Sequence, residues 1–298
     1  MSSKDVRIEG AITAMVTPFT ESGGIDVEGL IRNVKFQIDN GISGLVPLGT
    51  TGESPTVSDE EREVVIKTVV AAAAGKIPVI VGTGTNSTAT TIEHTKVAKE
   101  LGADAVLIVS PYYNKPTQEG LYRHFKAVAE AVDIPIIVYN IKGRTAVNIE
   151  TPTMERFRGI KNIVGVKEAS GDLNQMKDVI AKMPNDFVVL SGDDNMTLEL
   201  MKAGGVGVIS VISNLLPRKV ADLCAYAMQK KYAEAEKINS CLSPLFKAAF
   251  IETNPIPIKE AMAMVGMPAG PLRLPLCELR QENREILRKV LAEMGVVK

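Results

Sequence analysis

Eight short runs of apolar, largely β-branched residues recur along the chain, with helix-like stretches between them. They are Ile12–Val16, Gly44–Leu48, Val79–Val81, Ala105–Val109, Ile134–Tyr139, Ile163–Lys167, Phe187–Leu190 and Gly207–Val211. Most are continuous rather than alternating, the pattern of parallel strands covered on both faces. The intervening stretches carry helix-start signals: Ser58-Asp59-Glu60-Glu61 opens a helix over Glu61–Ala74, Ser87 caps one reaching Leu101 with Gly102 as its stop, and Thr117 opens one reaching Ala131. Strands alternating with helices leave an open doubly wound sheet or a closed barrel. Eight strands, and a length of 298 residues against the ~250 a typical barrel takes, favour a (β/α)8 TIM barrel over residues 1–215. Residues 216–298, rich in Ala, Leu, Lys and Glu, predict a C-terminal helical subdomain that packs on it, with an oligomer contact as one use.

The bulk properties narrow the function classes. The 34 Lys and Arg against 35 Asp and Glu give a formal net charge of -1, so no basic excess asks for nucleic acid. No apolar stretch approaches the ~18 residues of a membrane helix. The segment Met1–Arg7 has charges with no apolar core behind them and predicts no signal peptide. Cys224, Cys241 and Cys277 are odd in number and widely spaced, which fits a reducing cytoplasm better than a disulfide framework or a metal clip.

Barrel enzymes keep their sites at the C-terminal ends of the strands, and polar groups concentrate there. Lys167 follows Ile163-Val164-Gly165-Val166. Its amine either snorkels out of a strand end or stands desolvated by apolar walls as a nucleophile for Schiff-base formation. Gly49-Thr50-Thr51-Gly52-Glu53 offers backbone N–H groups and two hydroxyls suited to a small carboxylate, or simply turn and capping chemistry. It is no Walker loop, and Gly82-Thr83-Gly84-Thr85-Asn86 lacks the third glycine and acidic partner of a dinucleotide site. Tyr139, at a strand end, is a core aromatic or a proton-transfer phenol, while Tyr112 and Tyr113 are functional or a packing pair. Arg144 offers a planar fork for a carboxylate or is an ordinary surface arginine. His94 and His124 fall inside helices, where structural roles are expected, and Asp193-Asp194 reads as a cap for the next helix.

Together these loops resemble the dihydrodipicolinate synthase and N-acetylneuraminate lyase family, pyruvate-dependent class I aldolases on a (β/α)8 barrel. The resemblance runs from Gly10-Ala11-Ile12-Thr13-Ala14-Met15-Val16-Thr17-Pro18-Phe19 to Leu272-Arg273-Leu274-Pro275. Pro111-Tyr112-Tyr113-Asn114-Lys115-Pro116, Arg144-Thr145 and Asn254-Pro255-Ile256-Pro257-Ile258-Lys259 resemble the synthase branch. The resemblance implies a lyase of lysine and diaminopimelate biosynthesis that condenses pyruvate with L-aspartate 4-semialdehyde. In that reading Lys167 forms the imine, Thr50 and Thr51 hold the pyruvate carboxylate, and Tyr139 shuttles protons through Thr51 to Tyr113 of a neighbouring subunit. Arg144 then binds the aldehyde's carboxylate, and Gly192 and Ile209 line the pocket by main-chain contacts. It also implies a homotetramer, a dimer of dimers, and neither metal nor organic cofactor.

Two departures from the family pattern stand out. Ile141-Lys142-Gly143 precedes Arg144 without the usual proline, which frees the loop and adds charge where the aldehyde would enter. Ser54, Asn86 and Tyr112 match the lysine-binding cleft of feedback-sensitive synthases, but Thr90 replaces the acid that grips the ammonium, and Asp59 and Arg62 differ too. Weak or absent inhibition by lysine is the expectation. The runner-up is a related aldolase or dehydratase acting on a sugar acid or other aldehyde. A barrel that only binds or scaffolds is disfavoured by the intact set Thr50, Thr51, Tyr113, Tyr139, Arg144 and Lys167.

Overall fold

A computed structural model describes residues 6–297, so all of Met1–Arg7 except Val6 and Arg7 lies outside it. The strands are β1 (Gly10–Ala14), β2 (Gly44–Val46), β3 (Ile80–Gly82), β4 (Ala105–Val109), β5 (Ile136–Asn140), β6 (Ile163–Glu168), β7 (Val188–Ser191) and β8 (Gly207–Ser210). They hydrogen-bond in the order β2-β1-β8-β7-β6-β5-β4-β3, every pair parallel. A bridge between Leu45 and Val79, with Leu45 N–H donating to Pro78 O at 3.0 Å, joins the ends. The sheet therefore closes into the expected barrel, and closure leaves no exposed strand edge.

Side chains alternate across each strand. Ile12, Val46, Ile80, Leu107, Ile137, Tyr139, Leu190 and Ile209 fill the barrel interior as one cluster, while Val106, Ile108, Val138, Val166 and Val208 belong to the outer layer under the helices. Both faces of the strands are thus buried, which is why their sequence reads as continuous apolar runs.

The helices begin where the hydroxyls are. Ser58 makes a full capping box with Glu61 at the start of Asp59–Ala73, Ser87 accepts from Thr90 N–H before Thr88–Glu100, and Thr117 accepts from Gly120 N–H before Gln118–Ala131. After β8 come Pro217–Met228, which packs against β1, then Tyr232–Ala248, Ile256–Met264 and Gln281–Glu293. Among the described residues no helix is long and apolar enough to cross a membrane.

His124 has the structural role expected of it. It is 5% exposed, its Nδ1 lies 3.0 Å from Thr88 Oγ1, and its buried Nε2 has no partner. Burial pushes its pKa down to about 4 from 6.5. Between those values the unfolded chain binds a proton that the folded chain refuses. Its contribution is therefore complete above pH 6.5 and is lost as pH falls toward 4, at ~1.4 kcal/mol per pH unit. Urea titrations at pH 7 and pH 5 should show a smaller acid loss for His124→Gln than for the parent; equal losses would clear His124 as the cause.

Candidate active site

Register sets the centre of the site. β5 pairs with β6 so that Tyr139 lies opposite Lys167 and Asn140 opposite Glu168. One step along a strand changes face, so the first pair turns into the barrel and the second outward. Lys167 and Tyr139 are each 5% exposed, and the Lys167 Nζ lies 4.3 Å from the centroid of the phenol ring. The amine is therefore desolvated against apolar walls rather than snorkelling into water. Space for its stem comes from the residue just after β7. A Cβ built on Gly192 would lie 3.0 Å from Lys167 Cε and 2.6 Å from Ala169 Cβ, so only glycine leaves the lysine room.

The outward pair holds the register. Asn140 Nδ2 donates to both oxygens of Glu168 at 3.3 and 3.2 Å, Ser170 N–H donates at 2.7 Å, and Gln175 Nε2 at 3.3 Å. Glu168 is fully buried, and burial pushes its carboxyl above the usual range against the pull of these donors.

The loop after β2 is bracketed by two left-handed residues, Leu48 (φ 55°) and Glu53 (φ 51°), which turn it back across the barrel mouth. Thr50 and Tyr139 both line a cavity of about 330 Å³, together with Arg144, Arg62, Tyr112 and Ile141. Thr51 is 2% exposed, and its Oγ1 accepts from Asn254 Nδ2 at 2.9 Å. Of the two threonines, Thr50 is the one at the cavity wall. Arg144 stands on a single helical turn, Lys142–Thr145, where Thr145 Oγ1 donates to Ile141 O and Val147 O. That hydroxyl orders the segment that lacks proline, so it is not the freed loop the sequence suggests. Arg144 Nη2 donates to Asn254 O at 3.0 Å.

Of the expected site residues, Thr50, Tyr139 and Arg144 line the cavity, while Lys167, Thr51, Gly192, Tyr113 and Ile209 are not among its lining residues. Tyr113 is 88% exposed with a left-handed backbone (φ 73°), and within one chain it does not reach the site. Ile209 is buried in the barrel interior beside Tyr139 and Leu190. Asp194 is no helix cap. Its carboxylate accepts from Val211 and Ile212 N–H, tying the end of β7 to the end of β8, while Asp193 caps the short turn after β7. Asn254, Lys259 and Arg273 were not singled out as site residues, and each reaches the Thr50–Glu53 loop or Arg144 from the far end of the chain.

A sequence profile of the Dihydrodipicolinate synthetase family matches residues 7–294. The 4-hydroxy-tetrahydrodipicolinate synthase of Thermotoga neapolitana is 49% identical over 292 residues, covering 97% of this chain and 99% of that protein. The corresponding protein of Ectopseudomonas mendocina is 50% identical over 290 residues, covering 97% and 99%. A crystal structure of the chloride-inhibited dihydrodipicolinate synthase of Acinetobacter baumannii complexed with pyruvate superimposes with a TM-score of 0.96 at 45% identity, covering 98% of this chain and all of that one.

The loop's outer end is fixed by buried charge. Glu53 Oε1 receives Lys259 Nζ at 2.7 Å, and Glu53 Oε2 receives the Arg273 N–H at 3.0 Å. Lys259 also donates to Thr17 O and Pro271 O and sits 4.6 Å over the Phe19 ring. Burial pushes the Lys259 amine below the ordinary lysine range despite the carboxylate beside it. Removing one partner strands the other charge, so Lys259→Met should cost about 3–5 kcal/mol in urea unfolding. The double change Lys259→Met with Glu53→Gln should recover part of that loss. A single variant as stable as the parent would show that the clamp contributes nothing.

Proposed function

Because the chain belongs to the Dihydrodipicolinate synthetase family, we propose that this cavity condenses pyruvate with L-aspartate 4-semialdehyde to 4-hydroxy-tetrahydrodipicolinate. The observation that carries the reading is the buried amine of Lys167 lying against the Tyr139 ring at the barrel mouth. A lysine kept from water by apolar walls is the nucleophile that imine chemistry needs.

The Lys167 amine attacks C2 of pyruvate, and water leaves as the imine forms. Loss of a proton from the methyl carbon gives an enamine, with the positive imine nitrogen taking up the electron pair. The enamine carbon bonds to the aldehyde carbon of the semialdehyde, whose oxygen becomes the hydroxyl of the product. The semialdehyde's own amine then attacks C2, closes the ring and expels Lys167. Tyr139, within reach of the amine, moves the protons, and Thr50 beside it at the cavity wall is better placed than Thr51 to pass them on. The Thr51 hydroxyl and loop N–H groups take the pyruvate carboxylate, and Arg144 takes that of the semialdehyde through the N–H groups not engaged by Asn254 O. Gly192 leaves the stem of Lys167 its room, and Ile209 packs in the barrel interior beside Tyr139.

The 88% exposure of Tyr113 supports a role against a neighbouring subunit, and membership of the family supports a homotetramer built as a dimer of dimers. Three free cysteines support a cytoplasmic setting. The test is borohydride trapping with pyruvate, read by intact mass and peptide mapping. A pyruvate-derived adduct on Lys167 that disappears during turnover with the semialdehyde is expected, and Lys167→Ala should lower kcat by ~10⁴ or more. An adduct indifferent to the semialdehyde would keep the imine and point to another aldehyde; no adduct would remove the reading.

The outer part of the cavity does not suit a cationic amino acid. Thr90 Oγ1 donates to Ser87, Asp59 is engaged with His94, and Arg62 presents positive charge at the wall. Millimolar L-lysine should therefore inhibit initial rates weakly or not at all. Strong inhibition at low lysine concentration would show that another group holds the ammonium.

A further inference from the structure

We propose that Asn254 is a positioning residue that sets both carboxylate-holding groups of the site, Thr51 through its side chain and Arg144 through its main chain. The inference rests on the roles given to Thr51 and Arg144 above. Asn254 lies between the helices Tyr232–Ala248 and Ile256–Met264, more than two hundred residues from Thr51, and is 4% exposed. Its Nδ2 donates to Thr51 Oγ1 at 2.9 Å, and its carbonyl accepts from Arg144 Nη2 at 3.0 Å. One residue therefore touches both groups, and no side chain of the barrel strands does the same work.

The direction of the first bond matters. A hydroxyl that accepts from an amide keeps its own proton for some other acceptor. With Asn254 as donor, the Thr51 proton is reserved for an incoming carboxylate. An aspartate would fill the same space and keep the same main-chain carbonyl. It would, however, accept from Thr51 rather than donate, which takes that proton away and sets a negative charge beside the anion. The amide's other end supports the same conclusion. Asn254 Oδ1 is buried with no donor, and an unmet buried acceptor costs stability. Packing alone would be better served by an apolar residue, so the asparagine is retained for its donor.

The experiment is steady-state kinetics on Asn254→Asp and Asn254→Ala, with Thr51→Val and the double variant Thr51→Val/Asn254→Ala, and pyruvate trapping on each. Wild-type trapping on Lys167 is the control: without an adduct there, the reading of the site fails before Asn254 is tested. With it, Asn254→Asp should raise the KM for pyruvate by about 10- to 100-fold, and Asn254→Ala by less, with the Asn254→Ala urea midpoint close to the parent's. Adding Asn254→Ala to Thr51→Val should change the pyruvate KM little, because the group that Asn254 sets is already gone. If Asn254→Asp fails to fold, Asn254→Ala and the double variant decide the matter by the same measure. A wild-type pyruvate KM in the variants, or losses that simply multiply in the double variant, would overturn the proposal.

Discussion

The site depends first on the phase of β6. Ile136 pairs with Ile163, but the next residue, Ile137, pairs with Gly165, so Val164 is an extra residue in the ladder. A bulge of this kind moves everything beyond it one position. Without it, the residue opposite Tyr139 would be Val166, and Lys167 would point out among the helices. With it, amine and phenol share the interior, and Glu168 falls outside, where Asn140, Ser170 and Gln175 satisfy its oxygens. The same chain positions that make the nucleophile available thus provide the lock that holds it in phase.

The second constraint is that the carboxylate-holding loop is fixed from outside the strands. Glu53 is held by Lys259 and Arg273, and Thr51 by Asn254. A buried ion pair is a poor source of net stability, since desolvation offsets most of the attraction. Its effect here is geometric: Glu53, a left-handed residue, is kept in place by contacts that no local sequence could supply.

What could be read from the sequence follows from how local each signal is. Strand runs and the Ser58, Ser87 and Thr117 caps are decided within a few residues, so they were legible, with strand ends displaced by a residue or two. Lys167 was legible because a charged residue closing an apolar run is conspicuous. Asp194 was not: capping is the usual use of an acid after a strand, and only the meeting of two strand ends gives it backbone donors instead. Asn254 and Lys259 were quoted for resemblance alone, because a polar residue bound to a partner two hundred positions away has no periodic trace. Which of two adjacent threonines faces the cavity turned on the loop's left-handed bends, which no residue type in it announces.

The clamp on Glu53 also orders events in time. On the ribosome, the strands carrying Tyr139 and Lys167 emerge well before Asn254, Lys259 and Arg273. A growing chain can therefore close its barrel while the Glu53 carboxylate has neither cation and Thr51 has no donor. Reactive amine and carboxylate-holding loop become one site only when the last segment docks, so the unfinished protein carries its nucleophile without the means to hold a substrate against it.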